Sequence, residues 1–353
     1  MGPQAARAVI TVDGAHGEGG GQLLRMAVAL STVTGTAVRI MNIRAGRLKP
    51  GMAAQHVTAV DAVRSMCGAE VNGVAVGSHE LEFRPGPIRP GRYSFDVGTA
   101  GSVTLVLQAC LPVAFAAPGP LQLTLTGGTD VRWSPPVDYV ARVFLPLLRS
   151  MGGNADILLV RRGYYPRGGG RIEVNTRPTS RWAPLDSLEP GAVLAIRGIA
   201  HASHLREDIP KRMKHAAMRR LHGRPDVKIE ERVYAGDEAV GQGGAVVLWA
   251  ETEHGILGAD ALAERGKPSE RVGEEAASVL AAELDGRGTL DVHAADQILP
   301  YLCLADGPSA ISVRDATGHL RSLAWLLPQF LERTIRLQGE AGRWVVRVSG
   351  PKA

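Results

Sequence analysis

The chain has 353 residues, 45% of them hydrophobic, enough to bury one large core or two domains, and it carries a net charge of +5. That surplus of Lys and Arg points towards anionic partners such as nucleotides, RNA or phosphorylated metabolites without choosing among them. The longest apolar stretch, Val103 to Ala117, is broken by Gln108 and Pro112 and is too short to cross a bilayer, so a core helix is expected there and no membrane partner.

The first residues, MGPQAARAVITVDG, show neither a basic segment followed by an apolar one nor a myristoylation signal, so no export is expected. Cys67, Cys110 and Cys303 stand singly in apolar patterns with no C-x-x-C pair, which fits buried thiols in a reducing compartment. A cytoplasmic location is the expectation.

Next comes DGAHGEGGGQLLR at 13–25, which sets Glu18 among glycines and runs into an apolar helical pattern. It has neither the Lys and hydroxyl of a P-loop nor G-x-G-x-x-G spacing, yet its glycines allow backbone N–H groups to approach an anion at a helix start. Glu18 is read equally well as a carboxylate holding Mg²⁺ or Mn²⁺ against phosphates and as an N-terminal helix residue favoured by the dipole. IRAGRLKPGMAAQHVTA then packs Arg44, Arg47 and Lys49 into a loop ahead of a helix bearing Gln55 and His56. Such arginines suit forked phosphate contacts, and a solvated basic loop is the alternative.

RSMCGAEV at 64–71 returns as RSMGGNAD at 149–156, an offset of 149 − 64 = 85 residues. Upstream of each copy lie two helical patterns, the second pair being GTAGSVTLVLQACLPVAFA and SPPVDYVARVFLPLL; downstream lie strand pairs, read over VAVGSHELEFRPG and DILLVRRGYYPRGGGRIEV. Gln108 alone reads as a satisfied core amide, and GGTDVRWSPP and GYYPRGGGR read as turns first and site loops second.

From Leu185 to Gly286 the pattern changes. GAVLAIRGIAHA, VKIEERVYA and AVVLWAETEHG read as strands, and PSERVGEEAASVLAAEL as a helix. DIPKRMKHAAMRRLHG reads as a basic amphipathic helix bearing Lys211, Arg212, Lys214, Arg219 and Arg220, a solvated face or an RNA contact. A third copy then follows, with helices over ADQILPYLCLA and GHLRSLAWLLPQFLERT and a closing hairpin, TIRLQGEAGRWVVRVSG. The expected fold is α/β: a large domain of three repeated βαβαββ-like units, helices packed on sheets, over 1–184 plus 287–353, with a smaller inserted α/β domain at 185–286.

No H-E-x-x-H, zinc-spaced Cys/His cluster or G-x-S-x-G is present, and HASH at 201–204 is isolated, so neither a structural zinc nor a serine hydrolase is expected. His319 falls at a helix start, where the dipole favours neutral imidazole with a ring nitrogen free to attack; a capping or surface histidine is the plainer reading.

Taken in order, DGAHGEGGGQLLR, IRAGRLKPG with the following QH, GTAGSVTLVLQ, the proline pair of WSPPVDY, GYYPRGGGR and HAADQ resemble the motifs of the RNA 3′-terminal phosphate cyclases. That family carries a small inserted domain at the matching place, and its repeats resemble those of enolpyruvyl transferases. The resemblance implies an ATP-dependent enzyme that converts an RNA 3′-phosphate end to a 2′,3′-cyclic phosphate through AMP linked to His319. It implies metal carboxylates at Glu18 and Asp296 and phosphate-binding arginines at Arg25, Arg44 and Arg47, with Gln55 and His56 beside them. Nucleotide contacts fall at Gln108, Pro135, His293, Ala294, Ala295, Asp296 and Gln297, with Pro135 lining the adenine pocket. ATP, Mg²⁺ or Mn²⁺, and RNA are the implied cofactors and partners; the oligomeric state stays open, a homodimer being one option. Ser322 and Leu323 replace a Thr-Asn pair usual in the family. A non-catalytic branch serving ribosome assembly is the alternative, and it lacks the histidine retained here.

Overall fold

The computed structural model describes residues 9–340 and 342–351. Residues 1–8, part of the stretch read for an export leader, lie outside the described residues.

Three copies of one strand–helix unit form the body. The first runs β1 (Ile10–Asp13), α1 (Gly21–Thr34), β2 (Val38–Met41), α2 (Ala54–Cys67), β3 (Glu70–Asn72) and β4 (Leu81–Arg84). The second runs β5 (Gly91–Asp96), α3 (Val103–Phe115), β6 (Leu121–Gly127), α4 (Val137–Tyr139), a π turn at Val140–Phe144, α5 (Leu145–Ser150), β7 (Asn154–Gly163) and β8 (Gly170–Arg177). Pro146 has no N–H to give back to residue 142, which accounts for the wider turn ahead of α5.

The third unit opens with β9 (Asp186–Ser187) and is then interrupted. The interruption holds β10 (Val193–Ser203), α6 (Asp208–Arg220), β11 (Val227–Tyr234), β12 (Ala239–Val240), β13 (Gly243–Thr252), β14 (Ile256–Leu262) and α7 (Ser269–Asp285). The third unit resumes with α8 (Val292–Leu304), β15 (Ser309–Val313), α9 (Gly318–Leu326), β16 (Ile335–Glu340) and β17 (Arg343–Val348).

Strand order repeats with the sequence. The sheets read β1-β2-β4-β3, β5-β6-β8-β7 with β12 added at the edge, and β9-β15-β17-β16. In each, the first two strands are parallel, as a crossover helix requires, and the unit's other pairs are antiparallel; the added β12 runs parallel to β7. The 85-residue offset marks equivalent places: Met66 and Met151 are both fully buried just before the third strand of their units.

Three details differ from the sequence reading. Asp186 and Ser187, expected inside the inserted segment, pair with Ala310 and Ile311 and so belong to the third sheet. The first strand of the pair expected over 74–86 ends at Asn72 instead, because Gly73 and Gly77 adopt φ of +86° and +85° and break the extended run. Strand β14, ILGADAL, was not anticipated; its Gly, Asp and Ala are poor strand formers, and antiparallel pairing with β13 supplies what propensity does not.

Helices α1, α3 and α8 are buried on nearly all sides, as their almost unbroken apolar sequences demand, and form the centre of the main core. The interruption has its own apolar cluster between α6, α7 and the β11-β10-β13-β14 sheet. A buried ionic group joins that sheet to the second unit. Arg162 on β7 lies 3.1 Å from Asp130 and 2.7 Å from Asp138, while His201 on β10 lies 3.4 Å from Asp130 and bonds to the Tyr164 hydroxyl at 3.0 Å. Asp130, Asp138 and His201 are close enough to share a metal ion, but the guanidinium already supplies the cation between both carboxylates. Burial alone would raise the Asp130 carboxyl; Arg162, His201 and the Thr129 hydroxyl outweigh it and hold it well below the usual range. Removing Arg162 strands two buried charges, so Arg162→Ala is expected to lose about 3–5 kcal/mol of stability in urea unfolding. A loss under about 1 kcal/mol would show that water already screens the group.

Candidate functional site

Helix α1 packs beside α9, and this places the glycine loop of the first unit against the helix start of the third. The loop is held there by small groups and one aromatic stack. A side chain at Gly17 would meet the Ser322 hydroxyl at 2.4 Å, and His16 stacks on Trp325 with ring centres 3.8 Å apart. Helix α1 begins after Gly20 with no side-chain cap, which leaves its first N–H groups for an anion; α9 is capped by Thr317, whose hydroxyl accepts from the Leu320 N–H at 2.9 Å.

At this junction the Glu18 carboxylate lies 3.2 Å from His319 Nδ1 and 3.8 Å from Arg47. A Cβ on Gly318 would meet Glu18 Oε1 at 2.2 Å, so only glycine leaves room for the carboxylate before His319. Burial, the largest cause, lowers the His319 pKa; Glu18 opposes this, and Arg25, Arg47 and His293 push the same way as burial. The imidazole is therefore neutral at pH 7. A carboxylate on the Nδ1 side favours the proton there, which leaves Nε2 with its lone pair.

Arg25, Asp296, Gln108 and Gln297 line one narrow cavity of about 20 Å³, together with Gln22 and Leu323. Burial pushes the Arg25 guanidinium down to about 10 in spite of Asp296. Asp296, only 6% exposed, is held well above the usual carboxylate range by burial and by the Asp291 and Glu18 charges, with Arg25 opposing. The buried Asp296 carboxyl and the more exposed Glu18 repel one another, and a divalent cation between such oxygen donors relieves that repulsion, so the residues present fit a hard cation. Gln22 Oε1, Arg25 Nε and Gln297 Oε1 are buried here without a protein partner.

His56 is almost wholly buried, and its Nδ1 accepts the Ala53 N–H at 3.0 Å, so the neutral ring carries its proton on Nε2. That nitrogen faces Gly21, where a Cβ would stand 1.9 Å away. Arg44, at φ +54°, donates to the Gly51 carbonyl at 2.6 Å, and its pKa is lowered by burial and by Arg47. Gln55 accepts the Ser102 N–H at 2.9 Å and so couples the first unit to the loop ahead of α3.

The remaining expected residues lie ahead of α4 and along α8. The Pro135 carbonyl accepts a hydrogen bond from the Thr104 hydroxyl at 2.8 Å, and His293 is exposed on the first turn of α8. Ala294 and Ala295 are fully buried with their N–H groups bonded to Asp291, so they present neither side chain nor N–H and serve to seat Asp296 and Gln297. Asp291 itself escaped the sequence reading, although an Asp ahead of an apolar helical run is a cap signal. The stack of His16 on Trp325 left no such signal.

Three repeated α/β units whose loops gather arginines, carboxylates and a neutral imidazole define a class of protein built to handle phosphate groups. A family model described as RNA 3′-terminal phosphate cyclase matches residues 16–337. Proteins named RNA 3′-terminal phosphate cyclase resemble the chain along its length. That of Nitrosospira multiformis is 48% identical, covering 94% of both chains; that of Methanopyrus kandleri is 45% identical, covering 95% of this chain and 96% of its own. The enolpyruvyl transferase NikO from Streptomyces tendae aligns at 11% identity and a TM-score of 0.26, over 100% of this chain and 67% of its own, too slight a likeness to carry an argument. The chain belongs to the RNA 3′-terminal phosphate cyclase family, and it is an enzyme of that type.

The environment of His56 makes a direct prediction. Burial, Arg25 and Arg44 lower its pKa to about 3. Its ring signals in NMR should stay those of the Nε2–H neutral form from pH 8 down to pH 5. A midpoint near the ordinary ~6.5 would show that the ring is solvated and not held as described.

Proposed function

We propose that the enzyme uses ATP to convert an RNA 3′-phosphate end to a 2′,3′-cyclic phosphate through AMP bound covalently to His319. The observation that carries this reading is the Glu18 carboxylate at 3.2 Å from Nδ1 of an imidazole kept neutral among arginines. Such a ring, with a side chain 42% exposed, is a nucleophile in surroundings that attract phosphate.

His319 Nε2 attacks the α-phosphorus of ATP; the N–P bond forms as the bond to pyrophosphate breaks, and pyrophosphate leaves. An oxygen of the RNA 3′-phosphate then displaces the imidazole, giving RNA capped by AMP. The neighbouring 2′-hydroxyl attacks the activated phosphorus, loses its proton to solvent and expels AMP. Adenylylation is needed because phosphate oxygen leaves poorly, and the ring closes readily because the hydroxyl is already adjacent. Arg25, Arg44 and Arg47 receive the phosphates, with Gln55 and His56 supporting the loop they face. Pro135, His293 and Gln108 border the nucleotide, and α8 with its Ala294, Ala295 and Gln297 carries Asp296 to it. Glu18 and Asp296 would hold Mg²⁺ or Mn²⁺, whose charge offsets that of the triphosphate. In this reading residues 1–184 and 287–353 form the catalytic body and 185–286 an inserted domain, acting in the cytoplasm.

With α-labelled ATP and Mg²⁺ or Mn²⁺, the wild type should form an acid-labile AMP adduct that His319→Ala does not form. An equal adduct on His319→Ala contradicts the assignment. Because the His319 pKa is lowered, its nucleophilic form persists above a midpoint below 6.5. The adduct rate should therefore be flat above about pH 7 and fall only in more acid solution. Glu18 opposes the lowering, so Glu18→Gln should move that acid limb further down while weakening the response to metal. A limb that moves up, with metal titration unchanged, would return Glu18 to a helix-capping role.

A further inference from the structure

Two large aromatic side chains stand in solvent on adjoining loops. Trp133 is 92% exposed and Tyr165 is 78% exposed, in a chain whose other tryptophans are at least partly buried. Trp133 also adopts φ +61°, a left-handed conformation that a bulky residue rarely takes unless its surroundings impose it. Both neighbours hold it there. Arg132 is tied to Glu264, and the Ser134 hydroxyl donates to the Val131 carbonyl at 2.8 Å. A hydrophobic side chain held rigidly in water costs the free protein something, and it is the form a stacking surface takes.

The two loops are continuous with the site. Asp130 and Tyr164 pair across a β-bridge, and Tyr164 pairs in turn with Gly168. A Cβ on Gly168 would meet the Thr99 carbonyl at 2.5 Å, and that loop is the one bonded to Gln55 through Ser102. Arg167, exposed beside Tyr165, makes no ion pair among the described residues. The surface therefore sets exposed aromatic faces beside a guanidinium with no ion pair among the described residues, on loops that adjoin the one held by Gln55. Unpaired nucleic acid offers the matching chemistry, base faces to stack and backbone phosphates at each step.

We propose that Trp133 and Tyr165 form a platform on which the unpaired bases preceding the reacting RNA 3′ end stack, with Arg167 meeting the backbone phosphate between them. This rests on the reading of RNA as the substrate. The platform holds the strand, and the chemistry stays with His319.

The test uses a single-stranded RNA oligonucleotide 3′-phosphate and a nucleoside 3′-phosphate as alternative substrates. Trp133→Ala should raise KM for the oligonucleotide about tenfold, with Trp133→Phe restoring most of it, while KM for the nucleoside phosphate and formation of the His319 adduct from ATP stay as in the wild type. Tyr165→Ala should do the same. Quenching of tryptophan fluorescence by the oligonucleotide should be largely lost in Trp133→Phe. The proposal is overturned if KM for the oligonucleotide is unchanged or if adduct formation falls in parallel, which would place Trp133 against the nucleotide. It is equally overturned if the variant only dissolves a dimer. Should the wild type form no adduct at all, the catalytic reading fails, and the fluorescence titration still decides the platform.

Discussion

The structure depends on one buried carboxylate, Asp291. Its Oδ1 accepts the N–H groups of His293 and Ala294 at the start of α8 and the Tyr139 hydroxyl from the second unit; its Oδ2 accepts the Gly258 N–H from the inserted sheet. Four donors on one side chain fasten the third unit, the second unit and the insertion at a single point. Because the carboxylate is buried, leaving it unmatched costs more than the loss of an ordinary surface bond. The bonds fix where α8 begins, and hence where Asp296 and Gln297 enter the cavity a turn later. The charge at Asp291 also helps to keep the Asp296 carboxyl high, so a fold-making group shapes the electrostatics of the site.

The site is a product of repetition. Each unit places a helix start after its first strand, at α1, α3 and α8, and packing sets α9, the second helix of the third unit, beside α1. What differs is the loop ahead of that helix: glycines and Glu18 in the first, Ser102 and its bond to Gln55 in the second, the Asp291 cap in the third, with Thr317 and His319 brought in at the start of α9. No unit holds a site alone. The glycines at 17, 21 and 318 mark the contacts where a Cβ would collide with Ser322, His56 and Glu18, so the assembled centre is recorded in three missing side chains. The Ser322 hydroxyl occupies the space that Gly17 leaves open, where a Cβ would stand 2.4 Å from it.

Much of this was legible from the chain because repetition leaves periodic traces. The helices of α1, α3 and α8 declare themselves by apolar runs, and the 85-residue offset locates the second unit. The motif residues Glu18, Arg25, Arg47, Asp296 and His319 are brought to one junction. What stayed hidden is what tertiary contact decides. Strand β9 is two residues long and meets β15 only across the whole insertion, too little sequence to carry a pattern. The pairing of Arg162 with Asp130 and Asp138 joins residues from separate elements with no spacing rule, and Ala294 and Ala295 look like site residues only because they flank one.

The central claim is that Glu18 from one unit fixes the proton on Nδ1 of His319 from another, so that Nε2 is the attacking atom. The most direct measurement is long-range ¹H–¹⁵N correlation on the adenylylated protein labelled at histidine, which distinguishes the two ring nitrogens. Phosphorus attached to Nε2 of His319, with the proton on Nδ1, is the predicted result. Phosphorus on Nδ1, or on any other histidine, would contradict the account.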